Sequence, residues 1–244
     1  MRSREVGRVV ALLRYPVKSM QAEALEAVDV GWHGLAGDRR WAFFREGMVR
    51  SGFPWLTIRE RPDMGCYQPW FVEPDRPDMS PTMVRTPSGH DLDVVDARLA
   101  AELGQGMPHA VRVVKQDRGI FDTMPLSLIT TQTVANLGAL INAGLDVRRF
   151  RPNMVIQATG DTPFAEDAWV GLTLRVGDMQ NGTRMRVDQR DQRCVIVNVD
   201  PVTTERDAVV LRAIVREREA CLGVYGSTVQ PGRVALGDPI VIDL

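Results

Sequence analysis

A chain of 244 residues with 44% hydrophobic content can bury a substantial core in one large domain or two modest ones. Thirty lysines and arginines stand against thirty-one aspartates and glutamates, so a net charge of −1 offers no general attraction to nucleic acid or an anionic membrane, and any functional charge must be local. The three cysteines, Cys66, Cys194 and Cys221, form no CxxC and suggest neither a disulfide framework nor a zinc knuckle; with no signal-like segment and no apolar run near the roughly 20 residues of a bilayer span, the expected location is the cytoplasm.

In chain order, β-branched and aromatic residues bounded by Gly, Pro or Asp predict strands at 8–15, 26–31 and 40–45, the last turning at Glu46-Gly47. Seven prolines between Phe53 and Pro87 predict an irregular, surface-wrapping stretch, and Ser88-Gly89 predicts a hairpin turn. Asp96 is placed to cap a short helix over 96–103. Val134, Leu137, Leu140 and Ile141 recur at helical spacing over 131–144, with Gly144 as the left-handed stop. Strands are expected again at 153–157, 172–176, 184–187 and 195–199. A helix over 207–219 follows, with Leu211, Ile214 and Val215 inward, and then a closing hairpin of 233–236 with 239–244. Many short strands with few helices predict an α+β, β-rich barrel or paired-sheet fold. The boundary between two halves falls near 118, giving domains 1–118 and 119–244.

Four clusters carry chemistry. Tyr15-Pro-Val-Lys-Ser19 ends a strand and sets an ammonium beside a hydroxyl, a pairing able to hold phosphate. Gly37-Asp-Arg39 and Leu56-Thr-Ile-Arg59 present guanidinium forks for an anion. Arg149-Phe-Arg-Pro-Asn153 adds cations around an aromatic, although the dipole of a preceding helix accounts for some of them. In Arg193-Cys194 a cation favours the thiolate, the form that binds metal or attacks an electrophile. Taken singly, each cluster reads first as a solvated charged face, and Cys66 and Cys221 as inert buried thiols. Together they fit a large anionic cofactor better than a bare ion, because His33, His90 and His109 lack ligand spacing and no dinucleotide or P-loop fingerprint is present.

These motifs, with Ala165-Glu-Asp-Ala-Trp169, Val199-Asp-Pro201 and Gly237-Asp-Pro239, occur in one order along the chain and resemble the MOSC superfamily, in particular the mitochondrial amidoxime reducing component and its bacterial homologues. The resemblance implies a MOSC β-barrel with flanking helices behind an N-terminal β-rich barrel domain. It further implies a molybdenum–pterin cofactor (Mo-molybdopterin) with Cys194 as the metal thiolate. Lys18, Ser19 and Arg39 would then hold the pterin phosphate, Arg59 and Arg151 would add positive charge, and Asn153 would orient the pterin. Asp122 and Thr123 would line its pocket, and Asp200 would handle protons near the metal. The implied activity is reduction of a small N-hydroxylated, N-oxide or S-oxide compound. Because the sequence stops at Leu244, without an iron–sulfur domain, electrons are expected from a separate protein of ferredoxin or flavoprotein type. Relatives carry hydroxyl residues where this chain has Val197 and Asn198, which bears on the substrate. Two alternatives use the same thiol or the same barrel: a sulfur-carrier or cofactor-binding module built on Cys194, and an atypical enzyme of specialised metabolism.

Overall fold

A computed structural model describes residues 3–243, the side chain of Val49 excepted; Met1, Arg2 and Leu244 lie outside it. In chain order its strands and helices are β1 (Ser3–Arg14), β2 (Glu23–Leu25), β3 (Ala27–Gly31), β4 (Gly34–Leu35), β5 (Trp41–Arg45), β6 (Gln68–Phe71), β7 (Thr82–Arg85), β8 (Asp91–Asp93) and α1 (Ala97–Gly104). The second half supplies β9 (Val111–Lys115), β10 (Leu126–Thr130), α2 (Thr131–Ile141), β11 (Met154–Ala158), β12 (Thr173–Val176), β13 (Thr183–Gln192), α3 (Ala208–Arg218), β14 (Cys221–Gln230), β15 (Gly232–Ala235) and β16 (Pro239–Asp243).

The largest sheet runs β11-β10-β14-β13-β12-β16-β1-β2, and an added β1–β11 pairing closes seven of these strands into a barrel. Side chains two apart fill it: Met185 and Val187 of β13, Leu174 and Val176 of β12, Ile240 and Ile242 of β16, Met154 and Ile156 of β11. β1 is a barrel stave although it lies at the head of the chain, pairing with β11 on one side and β16 on the other. A division at 118 therefore cuts the sequence but not the sheets. Gly7 allows this crossing, since a Cβ there would meet the Gln157 carbonyl oxygen at 2.7 Å.

Outside the barrel, β5–β9 and β6–β7–β8 enclose a second core with α1, built on Phe43, Leu56, Met64, Leu99 and Leu103. A third core joins α2 and α3 to the outer barrel wall through Leu137, Ala213, Ile214 and Val155. Asp96, Thr130 and Asp207 cap the three helices, each accepting from a backbone N–H two or three residues on, in the first turn.

Five local expectations are corrected. Residues 195–198 form a 3-10 turn and not a strand; Asn198 accepts from the Leu211 N–H and its carbonyl from the Asp207 N–H, so the segment is claimed by α3. α2 stops at Asn142, whose φ is 53°, two residues before the glycine expected to end it. In α3, Val210 and Ala213 are buried with Ile214, whereas Val215 is 53% exposed. The C-terminal strands make no hairpin: β15 pairs with β3 and β16 with β1 and β12, so Gly237 and Asp238 carry the chain from one sheet to another. Glu46-Gly47 likewise opens a 3-10 stretch over Glu46–Ser51, and the partner of β5 is the distant β9.

Candidate functional site

The end of β1 and the loop after β4 are locked together: the Tyr15 N–H donates to Asp38 Oδ1 at 2.7 Å and the Arg39 N–H to the Tyr15 carbonyl at 2.6 Å. Asp38 is fully buried and also accepts from Arg39 Nη1. Two guanidiniums lie over the Tyr15 ring, Arg39 at 4.6 Å and Arg151 at 4.2 Å from its centroid. Ser19, Arg39 and Arg151 all have left-handed backbones, with φ of 70°, 50° and 52°, a conformation that side chains other than glycine adopt at a cost and that surrounding structure must enforce. Arg39 helps enforce it, since its Nη2 donates to the Arg151 carbonyl at 3.1 Å.

These residues open onto a cleft of about 380 Å³ at one end of the barrel. Lys18, Ser19, Arg39, Arg59, Asp122, Thr123, Arg151, Asn153 and Cys194 all line it, brought together from positions up to 176 residues apart. Six cations face two carboxylates there, because Arg149 and Arg193 join Lys18, Arg39, Arg59 and Arg151, while Asp122 and Asp191 oppose them. The surplus makes the cleft a receptor for anionic groups, and guanidinium forks suit phosphate in particular.

Lys18 is buried and donates through Nζ to the Ile120 carbonyl at 3.0 Å and to Asp122 Oδ1 at 2.5 Å. Burial pulls its pKa below the usual lysine value. Burial works against the Asp122 charge too, but the Lys18 ammonium outweighs it and holds that carboxyl below the ordinary range. The third ammonium proton of Lys18 remains for a ligand. Asn153 spends both ends of its amide on the backbone, accepting from the Ser127 N–H at 3.1 Å and donating to the Leu13 carbonyl at 3.2 Å, so it joins β1 to β10 under the cleft.

Cys194 lies two residues past the end of β13, at the mouth of the 195–198 turn, and its Sγ accepts from Arg59 Nη2 at 3.2 Å. Arg59 itself lies against the Phe53 ring at 5.1 Å. Arg193 braces the turn from behind: Nε donates to the Leu222 carbonyl at 2.7 Å and Nη1 to the Phe150 carbonyl at 2.8 Å. Asp200 does not join the cleft. Its Oδ1 accepts from the Val202 and Thr203 N–H groups and its Oδ2 from Arg149 Nη2 at 2.7 Å, and it borders a smaller cavity behind.

Sequence reasoning missed Asp191, Ser127, Tyr225, Phe53 and Phe121, all of which line the cleft. Asp191 is 1% exposed, accepts from Ser127 Oγ at 3.0 Å and pairs with Arg193 at 2.8 Å; burial lifts its pKa to about 6. The strand pattern does not mark it: Thr183, Met185 and Val187 alternate inward, but the register shifts after Val187 and Gln189 is exposed, so the alternation breaks before Asp191.

A family model for the MOSC domain matches residues 115–241, and one for the MOSC N-terminal beta barrel domain matches residues 6–105. The chain is similar to mitochondrial amidoxime-reducing component 1 of Xenopus laevis, at 23% identity over 97% of this chain and 82% of that protein. It is similar to mitochondrial amidoxime reducing component 2 of Bos taurus, at 25% identity over 98% and 84%. Among solved structures, the YuaD protein from Bacillus subtilis shares the fold with a TM-score of 0.53 and 11% identity, over 99% of this chain and 97% of that one.

Proposed function

The chain belongs to the MOSC domain family, and from that premise we propose that its cationic cleft holds a molybdenum–pterin cofactor and reduces a small N-hydroxylated, N-oxide or S-oxide compound. The observation that carries this reading is the meeting of one cysteine sulfur with six cations in a single cleft. The donor set fits the group: the described residues contain no cluster of three or more His, Cys, Asp or Glu to hold a bare ion, whereas one soft thiolate beside phosphate-binding donors suits a metal carried on an organic anion. The cleft volume lies within the usual range of ligand pockets.

In this reading Cys194 would be the protein ligand to the metal, and Lys18, Ser19 and Arg39 would hold the phosphate. Arg59 and Arg151 would neutralise further charge, and Asp122 and Thr123 would form the wall beside Lys18. Asn153 would act by holding β1 and β10 in place beneath the group. The cofactor, when bound, supplies a centre that takes up oxygen from a substrate and is recharged with two electrons. The chain's own residues bind and orient: Arg59 holds the Cys194 sulfur from the N-terminal half, and Arg193 holds the backbone that presents it. Phe53 and Ile196 make the mouth apolar around that sulfur and restrict water there. Electrons would arrive from a separate ferredoxin- or flavoprotein-type protein. Among the described residues no helix is long and apolar enough to cross a membrane.

The test is metal and pterin analysis of protein expressed in a host that makes the cofactor, followed by reduction of an amidoxime with a chemical reductant. Near-stoichiometric molybdenum with turnover is expected. Protein carrying labile sulfane sulfur and no molybdenum overturns the reductase reading in favour of a sulfur carrier.

A further inference from the structure

Behind the cleft lies a second cavity of about 40 Å³, bordered by Tyr15, Ile58, Arg148, Arg149, Arg151 and Asp200 among others. Arg149 and Arg151, with Ile196, form the partition, since all three also line the cleft. Three guanidiniums thus face one carboxylate, and that carboxylate is committed to Arg149 and to the N–H groups of its own turn. Arg148 is likewise paired with Asp146, Nε to Oδ2 at 2.9 Å.

What remains around this chamber is a set of unspent donors. Tyr15 Oη, Arg149 Nε and Arg151 Nη2 are buried, and none has a hydrogen-bond partner among the described residues. Tyr15 is 1% exposed and Arg149 8% exposed, so bulk water does not serve them. Buried donors are ordinarily satisfied, and three orphans on residues of one small cavity call for an occupant that accepts. Water fits less well here: of its two protons only one finds a free acceptor, the Tyr15 hydroxyl, which is then spent as an acceptor, while guanidinium groups accept nothing and the neighbouring carboxylate is already used. The chamber also exceeds the roughly 10–15 Å³ that a single water needs, while remaining too small for an organic phosphate.

We propose that this rear chamber binds a small monovalent anion of halide type, accepting from the Tyr15 hydroxyl, Arg149 Nε and Arg151 Nη2. The site is distinct from the cleft assigned to the cofactor and does not depend on that assignment. Burial pushes the Arg151 guanidinium down to about 10, the environment of a cation that lacks a counter-charge. An anion behind the partition supplies one and fixes the two arginines that face the cleft.

Two measurements test this. Crystals soaked in bromide should show an anomalous peak inside the chamber; a chamber filled by water, or empty, overturns the proposal. In solution, replacing gluconate by chloride at constant ionic strength should raise the thermal midpoint along a saturating curve, gluconate being too large to enter. Tyr15→Phe keeps the ring against Arg39 and Arg151 but removes the hydroxyl, and should weaken apparent chloride affinity at least threefold. An unchanged chloride response in Tyr15→Phe, or equal responses to chloride and gluconate in the parent protein, also overturns it.

Discussion

The two ends of β13 offer opposite uses of charge. At its start, Asp29, Asp178, Asp238 and Arg233 surround an open hollow, and each carboxylate closes a turn or pairs across the surface. Asp178 Oδ1 accepts from the Gln180 and Asn181 N–H groups at 2.7 and 2.6 Å, and Asp238 Oδ2 from Ala235 at 2.8 Å. At its end, about 30 Å away at a strand rise near 3.3 Å per residue, the cleft gathers six cations and two carboxylates against a cysteine sulfur. A chain of net charge −1 has no global field, yet one end of its barrel is an anion receptor and the other is a set of satisfied turns. The chemistry follows where charges converge and whether they are spent, and the overall count conceals both.

The largest expected effect removes the sulfur that makes the cleft more than an anion site. Cys194→Ser should lower reductant-driven turnover by at least about 100-fold, since an alcohol is a poor ligand for a soft metal. Stability should change by less than about 1 kcal/mol, because the side chain is half-buried and the volume change small. Cys66→Ser and Cys221→Ser, read in the same assay, should stay within about twofold by the same surface logic. Full activity in Cys194→Ser with metal retained would falsify the assignment.

Next comes the buried carboxylate of the cleft. The Asp191 pKa of about 6 lies above its ordinary 3.8, so the folded protein holds this proton more tightly than the unfolded chain. The stability this group contributes is complete below about pH 4 and is lost as pH rises through 6. At roughly 1.4 kcal/mol per unit, the change is on the order of 2–3 kcal/mol. Asp191→Asn does not titrate, so the difference between parent and variant in urea unfolding should slope downward over that window and flatten above it. A difference that is flat or slopes upward means that Arg193 and Ser127 outweigh burial.

A third, smaller effect concerns the partition. Arg149→Met leaves the Val197 carbonyl and Asp200 Oδ2 without their donor, which should cost about 1–2 kcal/mol given that Asp200 is partly exposed. Denaturant midpoints at neutral pH check it, and no loss means that Asp200 is held by its turn alone.

How much of this was legible in the sequence depends on whether a residue's partners are near in the chain. Asp96 announced its helix because a cap bonds two residues on, and the Ser88-Gly89 turn closed β7 on β8 as expected. The α+β, β-rich class followed from strand alternation, which burial in the barrel preserves. The apolar run at 195–199 misled because its pattern suits a strand, while its fate is set by bonds to Asp207 and Leu211. The closing hairpin failed for the same reason, its two strands being claimed by β3 and β1. At the site, Cys194 and the cations stood out by residue type. Asp191 did not, because its environment comes from Ser127, 64 positions away, and from Tyr225 on the neighbouring strand β14. Asp200 looked equivalent from its place near Cys194, yet its own turn directs it behind the partition.

The smallest effect tests the far end directly. Asp29 and Arg233 form an ion pair at 2.9 Å with both side chains more than half exposed. Exposed pairs contribute about 0–1 kcal/mol, because solvent screens the attraction and ordering two side chains opposes it. Asp29→Ala should therefore shift the denaturant midpoint by no more than about 0.5 kcal/mol equivalent and leave turnover within about twofold. Since Asp29 and Arg233 sit on paired strands β3 and β15, whose register also rests on buried Val28, Val30 and Val234, the backbone has reason to stay in place without them. The salt dependence should separate the two ends as well. Raising ionic strength should weaken binding of inorganic phosphate to the cationic cleft while leaving the stability difference between Asp29→Ala and the parent near zero throughout. A loss of turnover in Asp29→Ala comparable to that of a cleft variant would mean that the two ends communicate along β13, and the contrast between a working end and a structural end would have to be given up.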